Sequence, residues 1–172
     1  MAHISRAVAR DLIVELELPQ VILDIFDGNP PEDCRHRYGR PDEYYRMTEA
    51  HQAHYGADAV VPFMDNSNFD HLFAYDRQRC GFLRFYVEMP TEGLVQPVCS
   101  WQQLMAREFI CHYEDEMDNA SLRDFAKRFD FEFVEALIEL GERHRQPDDK
   151  NWLRECEQFV VWVGERGAQT LP

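Results

Sequence analysis

Three short apolar runs joined by two polar turns, all within Asp58–Glu88, constrain this chain more than any other feature. Val60, Val61 and Phe63 form a β-prone run interrupted by Pro62. Asp65-Asn66-Ser67-Asn68 is a turn cluster, because short polar side chains bond back to their own backbone. Leu72-Phe73-Ala74-Tyr75 resumes the apolar run, Asp76 to Gly81 is a second polar turn, and Phe82 to Val87 is an aromatic and branched third run. Such an order predicts an antiparallel meander. Pro62 has no N–H for a ladder, so the first strand belongs at an edge or a bulge. The remaining chain reads mostly as helix and needs a sheet to cover. The expected class is α+β: a small antiparallel or mixed sheet over about residues 58–99, covered by helices, with a helical C-terminal region.

A chain of 172 residues with 45% hydrophobic content is expected to form one domain over residues 1–172. It should bury roughly 70% of the surface that it exposes unfolded, enough for a core without cross-links. The formal net charge of -14 argues against nucleic acid and anionic membrane as partners, since both demand a basic patch. It favours attraction to a basic partner. The five cysteines are odd in number, widely spaced and free of CxxC, which suits reduced thiols and a cytoplasmic location. MAHISRAVARDL carries early charges and no apolar signal core, and no uncharged run approaches the ~20 residues of a membrane span.

Ile4, Val8 and Leu12 have helical spacing, whereas Val14 to Leu18 alternates like a strand, so both readings stand for residues 1–18. A short helix is expected from Pro19 to Asp27 with Gly28 as its stop. Asn29 to Pro41 reads as a loop holding Arg35, Arg37 and Arg40, and residues 42–55 as a helix ending at Gly56. Thr91 to Pro97 reads as another loop, followed by a short strand at Val98-Cys99. Ser100-Trp101-Gln102-Gln103 has the form of a capping box. The helix it starts ends in Glu114-Asp115-Glu116-Met117-Asp118, acid that opposes the helix macrodipole. Ser121 to Asp124 reads as a further N-terminal box, with one helix from Leu122 to Leu140 and Gly141 as its stop. Phe131, Val134 and Ile138 add a second apolar stripe to that helix. Its cover is either the last helix, through Trp152, Leu153, Cys156, Phe159, Val160 and Val163, or a second copy of the chain in a homodimer.

The chemistry-bearing residues form no complete set. His51-x-x-His54, Cys34-x-His36 and Cys111-His112-x-Glu114 are isolated pairs, so neither a metal site nor a cofactor is expected. Framing a calcium loop on Asn66 puts Asn68 and Asp70 at ligand positions. His71 then stands where glycine is required and Arg77 where the bidentate glutamate is required. No GxSxG, phosphate loop or GxGxxG occurs. The expectation is a protein that is not an enzyme and has no catalytic residues.

Four pieces of the chain resemble the SUKH superfamily, the Smi/Knr-like fold of bacterial immunity proteins and fungal cell-wall regulators. These are His54-Tyr55-Gly56 closing a helix, Val60-Val61-Pro62-Phe63 entering a polar turn, Leu72-Phe73-Ala74-Tyr75-Asp76, and Ser100-Trp101-Gln102-Gln103-Leu104 opening a helix. The family often has glycine in the first turn, where this chain has Ser67 and Asn68. The resemblance covers about residues 42–116 and leaves residues 119–172 as appended helices packed on that core. It implies a sheet with helices packed against it and a protein that binds and neutralises a toxin.

The leading expectation is thus an immunity protein for a basic protein toxin in the bacterial cytoplasm. The expected contacts are the turn residues Asp65, Asn66, Asn68 and Asp70 and the acidic run Glu114, Asp115, Glu116 and Asp118. The alternatives are a non-catalytic scaffold or regulator on the same fold and, more distantly, an enzyme using a Cys–His or metal site.

Overall fold

A computed structural model describes residues 4–56, 59–88, 98–144 and 149–167, with the backbone alone at 149 and 150. The loop expected over Thr91 to Pro97 lies outside the described residues, as does Asp58. The chain divides into two compact units, Met1–Val98 and Cys99–Pro172. The division precedes the helix that opens at Ser100, because that helix packs on the three helices that follow it.

In the first unit, α1 (Arg6–Glu15) begins at Ser5, whose hydroxyl accepts the Val8 N–H. It buries Ala9, Leu12 and Ile13, so helical spacing prevails over the local alternation from Val14 to Leu18. α2 (Gln20–Asp27) follows and buries Val21, Ile22, Ile25 and Phe26. Pro19 caps it and Gly28, at φ 84°, ends it. The helix expected over residues 42–55 is broken into α3 (Asp42–Arg46), α4 (Glu49–Gln52) and a 3-10 turn at Ala53–Tyr55. Thr48 makes the break: its hydroxyl accepts the His51 N–H and restarts the helix.

The meander is β1 (Val60–Asp65), β2 (His71–Asp76) and β3 (Gly81–Tyr86), antiparallel in the order β1-β2-β3. β1 lies at an edge, and its register shifts between Pro62 and Met64, a bulge at Phe63 that accommodates the proline. The Pro62 carbonyl accepts the Tyr45 hydroxyl. One core cluster joins Val60, Leu72, Ala74, Leu83 and Phe85 to Tyr44 and Tyr55. α1 and α2 pack against β1. All six β1 residues are buried as a result.

The second unit is helical. α5 (Trp101–Glu114) opens with the expected capping box, Ser100 bonding the Gln103 N–H and Gln103 bonding back to Ser100. α6 (Asn119–Arg128), α7 (Val134–Arg143) and α8 (Asp149–Gly167) all pack on α5. Phe109 sits at the centre, with Phe131 at 4.8 Å and Phe129 at 6.4 Å between ring centroids.

The single helix expected from Leu122 to Leu140 is two helices. The chain turns at Asp130, φ 53°, and the released backbone groups find partners on α5. Trp101 Nε1 donates to the Phe129 carbonyl at 2.9 Å, Gln102 Nε2 donates to the Asp130 carbonyl at 2.6 Å, and the Glu132 N–H donates to Gln102 Oε1 at 3.0 Å. Gly141 is not a stop. It lies inside α7, where a Cβ would run into the Tyr113 ring. Phe131, Val134 and Ile138 are buried within the chain, so the stripe offered to a second copy is already covered. Leu153 leaves the apolar face assigned to α8 and is 60% exposed.

Four helices end in the same kind of corner. An N–H two or three residues past the end reaches back five residues: Leu18 to Ile13, Asn29 to Asp24, Met117 to His112 and Phe131 to Ala126. This is the Schellman pattern, and it places one residue in left-handed backbone. That residue is Gly28 at φ 84° once, and otherwise Glu17 at 50°, Glu116 at 59° and Asp130 at 53°.

Candidate partner-binding site

The eight candidate contacts fall four in each unit. In the β1–β2 turn, Asp65 is not a surface group: it is 5% exposed. Its carboxylate accepts the Ser67 N–H at 2.7 Å. Its backbone exchanges two hydrogen bonds with Gly39, at 3.0 and 3.1 Å, and a side chain at Gly39 would collide with Oδ1. Burial pushes the Asp65 carboxyl up to about 6, the nearby Asp42 charge adds to this, and backbone bonds from Ser67 and Gly39 oppose it. Asp65 therefore straps the Gly39 loop to the sheet, and its carboxylate is buried where the sequence reading expects a surface group.

Asn66 braces the same turn. Its Oδ1 accepts the N–H groups of Asp70 at 3.0 Å and His71 at 3.2 Å, and its amide lies 3.2 Å from His71 Nδ1. This pins two residues in left-handed backbone, Ser67 at φ 65° and Phe69 at 60°. Asn68 and Asp70 face solvent. The turn thus presents two of its four candidates fully to solvent.

In the acidic run all four carboxylates are exposed, yet two have structural work. Glu114 ends α5 and accepts the Trp152 Nε1–H at 2.6 Å. Asp118 is the N-cap of α6, accepting Ala120 N–H, Ser121 N–H and the Ser121 hydroxyl at 2.9, 3.0 and 2.6 Å. The Ser121 hydroxyl bond holds its carboxyl below the ordinary carboxylate range. The cap is therefore Asp118 and not Ser121, and its charge favours the dipole of α6. Only Glu114, Asp115 and Glu116 stand at a helix C-terminus as the sequence reading expects, with Glu116 thrust outward by the left-handed corner.

The other pairings dissolve. Cys34 is buried while His36 is exposed; His51 and His54 are both exposed. His112 is buried beside Glu108 at 4.0 Å and against Phe109 and Phe125, whereas Glu114 leaves the core for Trp152. Among the described residues, no three His, Cys, Asp or Glu side chains are grouped to hold a metal. Arg40 pairs with Asp42 at 2.8 Å and Arg35 with Glu32 at 4.0 Å, so the basic loop is partly neutralised.

Each unit carries sixteen acidic and nine basic residues. The negative field is therefore even between the halves, and only local exposed clusters can single out a docking place. The partners that decide the candidates' roles, Gly39 for Asp65 and Trp152 for Glu114, are distant in sequence and carry no local signal. Among the described residues, no helix is long and apolar enough to cross a membrane. Compared with family models, with curated proteins and with solved structures, the chain matches none.

Proposed function

We propose that this chain is a non-catalytic binding protein of the immunity type, which sequesters a basic protein toxin in the bacterial cytoplasm. The observation that carries this reading is the corner between α5 and α6. There four exposed carboxylates lie within five residues, and Glu116 occupies a left-handed position that glycine would fill with less strain. A dense exposed acid cluster on a chain of net charge -14 steers a basic protein to it. The resemblance to SUKH proteins points the same way, and the α+β architecture is compatible with it.

The test is co-expression with a toxin encoded beside the gene, combined with binding kinetics at low and high salt. Glu114→Gln, Asp115→Asn, Glu116→Gln and Asp118→Asn together remove the cluster's charge, and the last of these preserves the cap because asparagine serves there as well as aspartate. Association should slow and lose salt dependence, with dissociation less affected. A chain that gives no protection against any neighbouring toxin overturns the reading. Unchanged rates in the neutralised variant remove this corner from the contact.

A further inference from the structure

α8 has a second face that the core does not use. Trp152, Cys156, Phe159, Val160 and Val163 are buried, whereas Leu153 and Val161 stand 60% and 57% exposed. Leu153, Glu157, Val161 and Glu165 follow one another at intervals of four, so they form one stripe of alternating apolar and acidic side chains. Among the described residues, no base pairs with Glu157 or Glu165. Arg154 is bonded instead to Asn151 at 3.0 Å, and Arg143 to the Glu139 carbonyl at 3.3 Å.

Trp162 forms the wall beside this stripe. Phe159 stacks on it at 5.9 Å, Phe133 meets it edge-on at 5.5 Å, and the Arg166 guanidinium lies 4.8 Å from the ring centroid. Two hollows share that wall. One, of about 310 Å³, lies between α7 and α8 over Leu140 and Phe159, with Glu139, Glu155 and Arg143 among its lining residues. The other, of about 380 Å³, lies beside Val161 and is lined also by Glu157, Glu165 and Arg154, the last held by Asn151. An aromatic wall next to exposed aliphatic groups and to Glu157 and Glu165, which have no basic partner among the described residues, is the composition of a docking surface for an apolar, positively charged segment.

We infer that the outer face of α8 docks a basic amphipathic helix of the partner protein, its apolar residues seated by Leu153, Val161 and Trp162 and its lysines or arginines meeting Glu157 and Glu165. The inference rests on the reading above that the partner is basic. The four-residue alternation on α8 selects the occupant: only a helix that repeats apolar and basic residues at three or four positions satisfies both components at once.

The test uses the full chain and a labelled synthetic helical peptide in which leucine and lysine recur four residues apart. A peptide of the same composition in scrambled order is the control. Anisotropy titrations should favour the patterned peptide by about tenfold or more. Leu153→Ser with Val161→Ser, both at exposed positions, should abolish that preference without shifting the melting transition. Glu157→Gln with Glu165→Gln should flatten its salt dependence. Equal binding of the two peptides, or a preference that survives Leu153→Ser with Val161→Ser, overturns the assignment. So does self-association in sedimentation that the same double variant abolishes, since the occupant is then a second copy. Toxin protection separates the two readings: protection that persists in the serine variant removes this face and leaves the immunity reading standing. Patterned-peptide binding without any toxin protection does the reverse.

Discussion

Asp65→Asn should raise stability at neutral pH and remove a pH dependence that the wild-type chain carries. The carboxyl's ordinary value is 3.8 and burial pushes it up to about 6. The folded state therefore holds a proton that the unfolded state releases. Stability from this group is fully present below about pH 4, falls as pH rises to about 6, and stays lost above. A rise of about two units corresponds to ~3 kcal/mol at most, because each unit is worth ~1.4 kcal/mol. Asparagine is neutral throughout, and its Oδ1 can keep the 2.7 Å bond from the Ser67 N–H. Allowing for imperfect replacement of the second oxygen, the gain at pH 7 should be about 1–3 kcal/mol. Urea denaturation of both proteins at intervals from pH 4 to pH 7.5 tests this. The difference in unfolding free energy should widen as pH rises through that window and level off above pH 6. Parallel curves, or a wild-type chain more stable than the variant at pH 7, would refute the argument that burial dominates the environment of Asp65.

Phe129→Ala should cost about 3–5 kcal/mol in chemical denaturation, because the ring is fully buried against Phe109 and Phe125. Phe133→Ala should cost clearly less, since Phe133 is only half-buried. Gly141→Ala should destabilise by about 1–3 kcal/mol despite alanine's better helix propensity, because its methyl meets the Tyr113 ring; a stabilised variant in thermal melting would show that α7 can shift away from α5. Asp118→Ala should cost about 1 kcal/mol through loss of the α6 cap and Asp118→Asn almost nothing, a contrast readable in the same denaturation assay.

Features encoded locally were legible in the sequence. The three strands and their order follow from apolar runs set between polar turns, and the bulge follows from Pro62. α2 is bracketed by Pro19 and Gly28, and the Ser100–Gln103 box is complete within four residues. Features set by distant partners were not legible. The periodicity from Leu122 to Leu140 runs unbroken through a turn, because Phe129 and Phe131 are buried on either side of it and the side chains that stabilise it belong to Trp101 and Gln102. In the same way, Asp65 reads as a polar turn residue until Gly39 is laid against it. Asp118 reads as the tail of one helix, although its side chain is committed to the next. The stripe Leu153–Glu157–Val161–Glu165 was present in the spacing, but neighbouring Trp152 drew Leu153 into a core face drawn too wide.

The helix corners set stability against function. Three of the four left-handed positions hold Glu17, Glu116 and Asp130, all exposed, where glycine would relieve about 1 kcal/mol of backbone strain apiece. A chain with glycine at all three should tolerate a destabilising mutation elsewhere that the natural chain does not survive. It would also lose three outward-facing charges. If the acidic corners serve recognition, robustness and affinity pull these positions in opposite directions, and selection for thermal stability alone should recover glycine at Glu17, Glu116 and Asp130 at the expense of the partner.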